Sequence, residues 1–298
     1  MSMPPRVVFA SPRKLPKASD LSGRVVVLDI AFAADGLGKG FDKTTGKFIK
    51  QLGARLAAWV DHHDHPRHVD FASDDRFTLC NKADHGACPE MIDEEMVRLV
   101  GPVDTIVTHF DVDGLYAAAK WMLGGKEPYK GADDDARCID TRIGEPGPKA
   151  TLVDKALRAR YRDETLKQRI IKWLLNGQKD GVERDAINEA AATYDRMAAK
   201  SQAISERYEI ADDIALVTIK SGDEPFDKTE LLLLGQKLAT VAVVSDSGNV
   251  SIAAPFDSGL DFVDLLDLGG GMPTRVNVPR KRLDESLQKI RQALAERS

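Results

Sequence analysis

Three short apolar runs in the first half of the chain each lead into acidic residues. Arg24–Leu28 (RVVVL) ends at Asp29, Arg55–Val60 runs into Asp61, and Thr105–Phe110 precedes a segment with two aspartates. β-Branched runs of this length predict buried strands, and the helical patterns between them predict βαβ units with a parallel sheet. Because ligands bind beyond the carboxyl ends of parallel strands, we expect these carboxylates to meet at one edge of the sheet.

Histidine is confined to a single stretch of the sequence. All six histidines lie between positions 62 and 109, and four of them fall within the segment 62–68 beside several aspartates. Neutral imidazole is the commonest metal ligand and general base in proteins. The clustering therefore indicates a site in the first half of the chain.

The strongest local pattern is His109-Phe-Asp111-Val-Asp113-Gly114. Alternate residues of an extended segment face the same way, so the imidazole and both carboxylates are expected to project together. This mixed ligand set suits Mn²⁺ or Mg²⁺, with Mn²⁺ favoured where histidine takes part. The alternative interpretation is a strand-end loop of solvated aspartates in which Asp113 caps the following helix.

The second pattern is Asp61-His62-His63-Asp64-His65-Pro66. An aspartate beside a histidine can fix the tautomer and orientation of the ring, as carboxylates do around metal ions. The alternative is a polar loop that is merely rich in histidine.

Two other clusters are weaker candidates for metal binding. Cys80, His85 and Cys88 supply soft ligands but lack paired CxxC spacing, which favours buried thiols and a surface histidine over zinc. The acidic run 133–135 lacks the ligand spacing of an EF-hand, and we interpret it as a solvated acidic turn.

Changes of pattern along the chain predict two domains of α/β type. Residues 1–150 are expected to form a parallel-sheet domain, residues 151–207 a charged helical linker, and residues 208–298 a smaller α/β domain. The last segment contains a glycine run and ends in an amphipathic helix over Leu283–Glu296.

Composition limits the classes of partner. The net charge of -5 over 298 residues argues against tight binding of long duplex DNA, whereas a small anionic substrate needs only a local cationic site. Three cysteines are an odd, low count that indicates a reducing compartment. No apolar run approaches the ~20 residues of a spanning helix. We therefore expect a cytoplasmic protein that has no membrane partner.

The two histidine-bearing patterns resemble the motifs of the DHH superfamily of phosphoesterases. Asp61-His62-His63 is similar to the triplet that names the superfamily, and residues 109–114 resemble its HxDxDG motif. Asp29 resembles its metal-bridging aspartate, and Asn81–Glu90 is similar to the stretch downstream of the triplet. Residues 269–273 (GGGMP) resemble the GGGH loop of the DHH-associated C-terminal domain, so the resemblance covers nearly the whole chain.

The chain departs from the DHH pattern in two respects. The superfamily usually places HxDxDG before the DHH triplet, whereas here the triplet comes first, which implies a permuted or rearranged N-terminal sheet. In addition, Met272 replaces the histidine of GGGH, so a substrate contact made by that ring is missing or supplied elsewhere.

The resemblance implies a metal-dependent active site. Two ions, Mn²⁺ with Mg²⁺ as the alternative, would lie about 3.5–4 Å apart as in other two-metal sites. The metal ligands that it implies are Asp29, His62, His109, Asp111, Asp113 and, from its similarity to a late Asp-Thr element, Asp140. The catalytic residues are His63, as substrate contact or acid, and Asp61. The phosphate-binding residues are Gly269, Gly270, Gly271 and Arg275.

The implied activity is hydrolysis of a phosphomonoester or phosphodiester of a small nucleotide, an oligonucleotide or a similar metabolite. The alternative is a non-catalytic nucleotide- or phosphate-binding protein that keeps the DHH fold, which Met272 and the altered motif order favour. Against it, unpaired buried carboxylates are costly to retain without a use. Formation of a homodimer is left open.

Overall fold

The computed structural model describes residues 4–35, 39–270 and 272–297. The chain divides into two compact units, Met1–Ala192 and Thr193–Ser298. Each unit is built around its own five-stranded sheet.

The sheet of the first unit is entirely parallel. Its strands are β1 (Arg6–Phe9), β2 (Val25–Leu28), β3 (Leu56–Asp61), β4 (Phe77–Leu79) and β5 (Thr105–Thr108). They lie in the order β1-β5-β2-β3-β4, so the last strand in sequence is inserted between the first two. The three strands that lead into the acidic segments, β5, β2 and β3, are therefore neighbours, with β2 in the middle.

Both faces of this sheet are covered. Val25 and Val27 contribute to a core with Trp59 and several phenylalanines, while Val26 and Leu28 contribute to the larger core on the other face. A strand buried on both sides reads as a continuous apolar run, which explains the sequence VVVL. The helices of the unit are α1 (Lys47–Leu52), α2 (Glu94–Val100), α3 (Val112–Met122), α4 (Ala132–Thr141), α5 (Pro148–Ala159), α6 (Glu164–Leu175) and α7 (Val182–Ala192).

Helix α3 is the most deeply buried helix segment next to the sheet. Every residue from Val112 to Trp121 is buried, and its alanines let the helix lie close to its neighbours. Its N-cap is Asp111, whose side chain accepts a hydrogen bond from the Gly114 N–H at 3.1 Å. The sequence-based alternative that Asp113 caps this helix is thus wrong, because the helix begins earlier. The acidic run 133–135 is likewise not a turn: it forms the first turn of α4, where carboxylates interact favourably with the helix dipole.

The second unit contains a mixed sheet. Its elements are α8 (Tyr194–Ser205), β6 (Glu209–Ala211), β7 (Ile214–Thr218), α9 (Lys228–Gln236), β8 (Val241–Ser245), β9 (Asn249–Ala253), α10 (Phe262–Leu265), β10 (Arg275–Pro279) and α11 (Leu283–Ala295). The strand order is β10-β9-β8-β7-β6, in which β7 and β8 pair in parallel and the other pairs are antiparallel.

These observations confirm the predicted fold class: a parallel-sheet N-terminal part, a helical segment and a smaller α/β part. The segment 151–207 is helical as expected, but α5, α6 and α7 belong to the first unit and α8 to the second. Among the described residues, every helix is too short or too polar to cross a bilayer.

The backbone around Gly114 leaves no room for a side chain at this position. A Cβ at this position would lie 2.5 Å from the His109 carbonyl oxygen, well inside van der Waals contact. We expect Gly114→Ala to lower the free energy of unfolding by about 1–3 kcal/mol, the usual cost of forcing atoms into a packed site. The measurement is urea denaturation in the presence of a chelator.

Gly248→Ala is the matched control, because its added Cβ would lie 4.0 Å from Asp246 Oδ1, which is an ordinary van der Waals contact. Its effect should stay within about 0.5 kcal/mol. Equal stability of the two variants would contradict the steric account of Gly114.

Candidate metal centre

The acidic and histidine side chains that follow β2, β3 and β5 form a cluster, and Asp29 lies at its centre. It follows β2 directly, is 2 % exposed, and has a φ of 54°, in the left-handed region that is unfavourable for most residues with a Cβ. Its carboxylate oxygens lie 3.4 Å from His62 Nε2, 3.9 Å from His63 Nδ1 and 3.9 Å from His109 Nδ1. One carboxylate on the middle strand thus reaches the histidines that follow both neighbouring strands.

The orientation of His62 is fixed from outside the cluster. Its Nδ1 donates a hydrogen bond to the His85 carbonyl oxygen at 2.8 Å, which leaves Nε2 facing the carboxylates. Nε2 lies 3.0 Å from Asp113 Oδ2 and 3.7 Å from Asp140 Oδ2. Metal-ligating histidines are commonly oriented in this way, by a carbonyl that holds the other ring nitrogen.

The segment after β5 supplies its ligands from a loop and the first helical turn. His109 Nδ1 lies 2.7 Å from Asp111 Oδ2. Asp113 is buried in the first turn of α3, where Oδ1 accepts a hydrogen bond from the Cys88 N–H at 2.9 Å. Its other oxygen, Oδ2, is the one that faces His62.

Asp61 and His63 form a pair beside these groups. Asp61 ends β3, is fully buried, and has its Oδ1 2.8 Å from His63 Nδ1. The His63 side chain is 21 % exposed, so it is the part of the pair that solvent reaches. Burial lowers the pKa of His63, although the Asp61 carboxylate acts in the opposite direction.

The ligand atoms fall into three overlapping sets. Within the described residues the candidate metal-binding groups are Asp29, His62 and His63; Asp29, His109 and Asp111; and His62, Asp113 and Asp140. In each set the ligand atoms lie within 4.8 Å of one another. No set contains a cysteine, and His85 contributes its carbonyl rather than its ring.

The side chains present fit a divalent cation. Both oxygens of Asp29, His62 Nε2, Asp113 Oδ2 and Asp140 Oδ2 are buried, and in the part of the chain that the structure describes their close neighbours are other members of these sets and, for Asp140, the Lys82 ammonium. Several carboxylates buried this close together are unfavourable unless further positive charge compensates them. Carboxylate oxygens with one or two imidazole nitrogens match Mn²⁺ or Mg²⁺ rather than a thiolate-bound metal.

The pKa shifts of these groups also indicate that several negative charges lie close together in the cluster. Burial raises the pKa of Asp29, and the carboxylates of Asp113 and Asp111 raise it further. Burial also raises the pKa of Asp113 to about 6, although His62 opposes the shift. For His62, burial and Lys82 lower the pKa, but the carboxylates outweigh them and the net shift is upward.

Lys82 is a charged residue of this region that the sequence patterns did not single out. Its side chain is 2 % exposed and forms an ion pair with Asp140 Oδ2. Burial lowers the pKa of Lys82, but the Asp140 and Asp113 carboxylates reverse this and raise it. Lys82 lies three residues after the end of β4, at the same edge of the sheet, and this position in the sequence could have indicated that it lies near the cluster.

The predicted metal ligands and the catalytic pair Asp61 and His63 are thus brought together in the first unit. The predicted phosphate-binding residues lie in the second unit: Gly269 and Gly270 have positive φ angles of 67° and 140°, and Gly271 lies outside the described residues. Arg275, on β10, donates to Thr229 Oγ1 at 2.8 Å. Their role in phosphate binding stays a prediction.

No model of a known protein family matches this sequence, and no curated protein matches it. The solved structures that are similar to this chain include the following two. The pGpG-specific phosphodiesterase PggH from Vibrio cholerae is 11 % identical, with a TM-score of 0.41 over 92 % of this chain and 99 % of that one. The exonuclease RecJ bound to manganese is 10 % identical, with a TM-score of 0.45 over 93 % of this chain and 76 % of that one. Both similarities extend over most of the chain.

The raised pKa of Asp113 predicts how metal binding depends on pH. In the metal-free protein its pKa of about 6 exceeds the ordinary 3.8, so its contribution to stability is present at low pH and is lost as the pH rises through 6. A bound cation compensates the charged form but must displace the proton below that pH. We therefore expect MnCl₂ to raise Tm more at about pH 7.5 than at about pH 5.

Thermal denaturation with and without saturating MnCl₂ measures this difference. Asp113→Asn, which cannot titrate, should show a smaller dependence of the manganese effect on pH. A manganese effect that is equal at both pH values in the unaltered protein would contradict the assignment of Asp113.

Proposed function

We propose that this chain is a metal-dependent phosphoesterase that hydrolyses a phosphomonoester or phosphodiester of a small nucleotide, a short oligonucleotide or a similar metabolite. The observation that carries the proposal is the convergence of three ligand sets at one sheet edge, with Asp29 and His62 each shared by two sets. A shared carboxylate suits a centre with two ions, and we propose Mn²⁺ as the favoured ion and Mg²⁺ as the alternative.

When bound, such ions supply the positive charge that stabilises phosphoryl oxygens and makes a water molecule easier to deprotonate. The role of the protein is to hold the metal-ligand atoms in place. The His85 carbonyl fixes His62, the Cys88 N–H fixes Asp113, and the Gly114 N–H fixes Asp111. Ligands held in this way need little reorganisation when charge develops on the substrate.

His63 is the proposed residue for contact with the substrate. Because Asp61 accepts the Nδ1–H of His63, the unprotonated Nε2 is the atom left to accept a hydrogen bond or a proton. The lowered pKa of His63 keeps the ring neutral near pH 7, which favours an accepting role over the donation of a stored proton. Asp61 acts on the reaction through the orientation of this ring.

The acidic net charge of -5 favours a small substrate over long nucleic acid. The backbone N–H groups of Gly269 and Gly270, together with the Arg275 guanidinium, remain the proposed phosphate contacts of the second unit. Glycine suits this role because no Cβ prevents the close approach of a phosphate oxygen.

Hydrolysis of bis-p-nitrophenyl phosphate by the purified protein tests the activity directly. We expect turnover that needs Mn²⁺ or Mg²⁺ and is stopped by chelation. Asp111→Ala and His62→Ala should each reduce kcat/KM by about 10²-fold or more, because each removes a metal ligand. Asp180→Asn is the matched control, since this aspartate of the first unit is 85 % exposed, and it should keep the full rate.

The non-catalytic alternative gives a different result in the same experiments. A protein that only binds phosphate would show saturable nucleotide binding without turnover across a panel of mononucleotides, cyclic dinucleotides and short oligonucleotides. Met272 in the glycine segment is the residue that favours this alternative.

The Asp61–His63 pair generates a separate prediction. Asp61→Asn leaves the His63 ring without an anionic partner, so we expect kcat to fall by about 10–100-fold while the Kd for Mn²⁺ changes little. Steady-state kinetics at saturating Mn²⁺ and calorimetric titration of the metal measure the two effects. A weakened Kd for Mn²⁺ with an unchanged kcat would instead make His63 a metal ligand.

A further inference from the structure

Lys82 places a fixed positive charge inside the predicted metal centre. Its side chain is almost completely buried, and its Nζ pairs with Asp140 Oδ2. Apart from this ion pair, Nζ finds no hydrogen-bond partner within the described residues. An ammonium group has three N–H donors, so one carboxylate leaves two of the Lys82 donors without an acceptor among the described residues.

Lys120, another buried lysine of the first unit, is held differently. Lys120 is also buried, but its Nζ donates to the Pro89 carbonyl oxygen at 2.9 Å and pairs with Asp133. That is a conventional structural ion pair away from the metal-ligand sets. Lys82 differs because its partner, Asp140, is itself a predicted metal ligand.

The ammonium group acts unequally on the ligand sets. The Asp140 oxygen that pairs with Lys82, Oδ2, is also the oxygen that lies 3.7 Å from His62 Nε2. A cation held by His62, Asp113 and Asp140 must therefore share this oxygen with Lys82. The set of Asp29, His109 and Asp111 has no lysine or arginine within ion-pair distance among the described residues.

We propose that Lys82 makes the two metal positions unequal, so that the Asp29–His109–Asp111 position binds Mn²⁺ tightly and the His62–Asp113–Asp140 position binds it weakly. Repulsion between a dication and an ammonium a few ångströms away is strong in a buried site. This inference rests on the proposed function, because it requires that the centre binds divalent ions. Lys82 is accordingly a positioning residue that sets metal occupancy through Asp140.

Titration of the full chain with Mn²⁺ tests the proposal without reference to activity. Calorimetry gives the number and affinity of the ions bound, and electron paramagnetic resonance reports free Mn²⁺ independently. In the unaltered protein we expect two binding events whose Kd values differ by at least about tenfold.

Two substitutions at Lys82 separate its charge from its volume. Lys82→Met keeps an unbranched side chain but removes the charge. It should lower the Kd of the more weakly bound Mn²⁺ by at least about tenfold. Lys82→Arg keeps the charge and should preserve the inequality. Lys120→Met is the matched control and should bind Mn²⁺ as the unaltered protein does, as judged on samples whose circular dichroism shows a folded chain.

The outcomes distinguish this inference from the proposed function. The inference would be overturned if the two Mn²⁺ ions bound the unaltered protein with equal Kd values, or if the difference in Kd persisted in Lys82→Met. Neither result would contradict the proposed phosphoesterase activity. The complete absence of Mn²⁺ binding would overturn both. If Lys82→Met does not fold, Asp140→Asn replaces it: loss of the weak event alone supports the proposal, and loss of the tight event refutes it.

Discussion

Mutual repulsion among buried carboxylates is the constraint on which the rest of this structure depends. Asp29 and Asp113 are both almost completely buried, and each has an oxygen atom whose close neighbour among the described side chains is the His62 ring. Such an arrangement is unfavourable unless cations compensate it. The surrounding fold supplies part of the compensation through His62, Lys82 and backbone N–H groups. A bound divalent ion would supply the remainder.

The topology of the first sheet explains how three segments that are separated in the sequence come together in one cluster of candidate ligands. Because every strand is parallel, all carboxyl ends lie at the same edge, whatever their order in the sequence. Insertion of β5 between β1 and β2 then brings the HxDxDG segment beside Asp29, while β3 brings the Asp61–His63 triplet to the other side. What the centre requires is adjacency of three strand ends, and the strand order satisfies it.

Much of this arrangement is predictable from local sequence, and the missing parts share a physical cause. The buried strands follow from the VVVL-type runs, and the convergence of His62, Asp111 and Asp113 follows from their places at strand ends. Asp140 is predictable only from its resemblance to a motif, since it lies on a helix distant in sequence. The roles of Lys82 and the His85 carbonyl could not be predicted, because they depend on tertiary contacts that leave no local pattern in the sequence. The strand order escapes for the same reason.

Anomalous diffraction from crystals grown with MnCl₂ tests the central claim most directly. If the separated segments meet around divalent ions, the anomalous map will show manganese in contact with the Asp29 carboxylate, with further contacts to His109 and Asp111 and, at higher MnCl₂, to His62 and Asp113. Manganese found only at exposed carboxylates, with none bound to Asp29, would contradict the account.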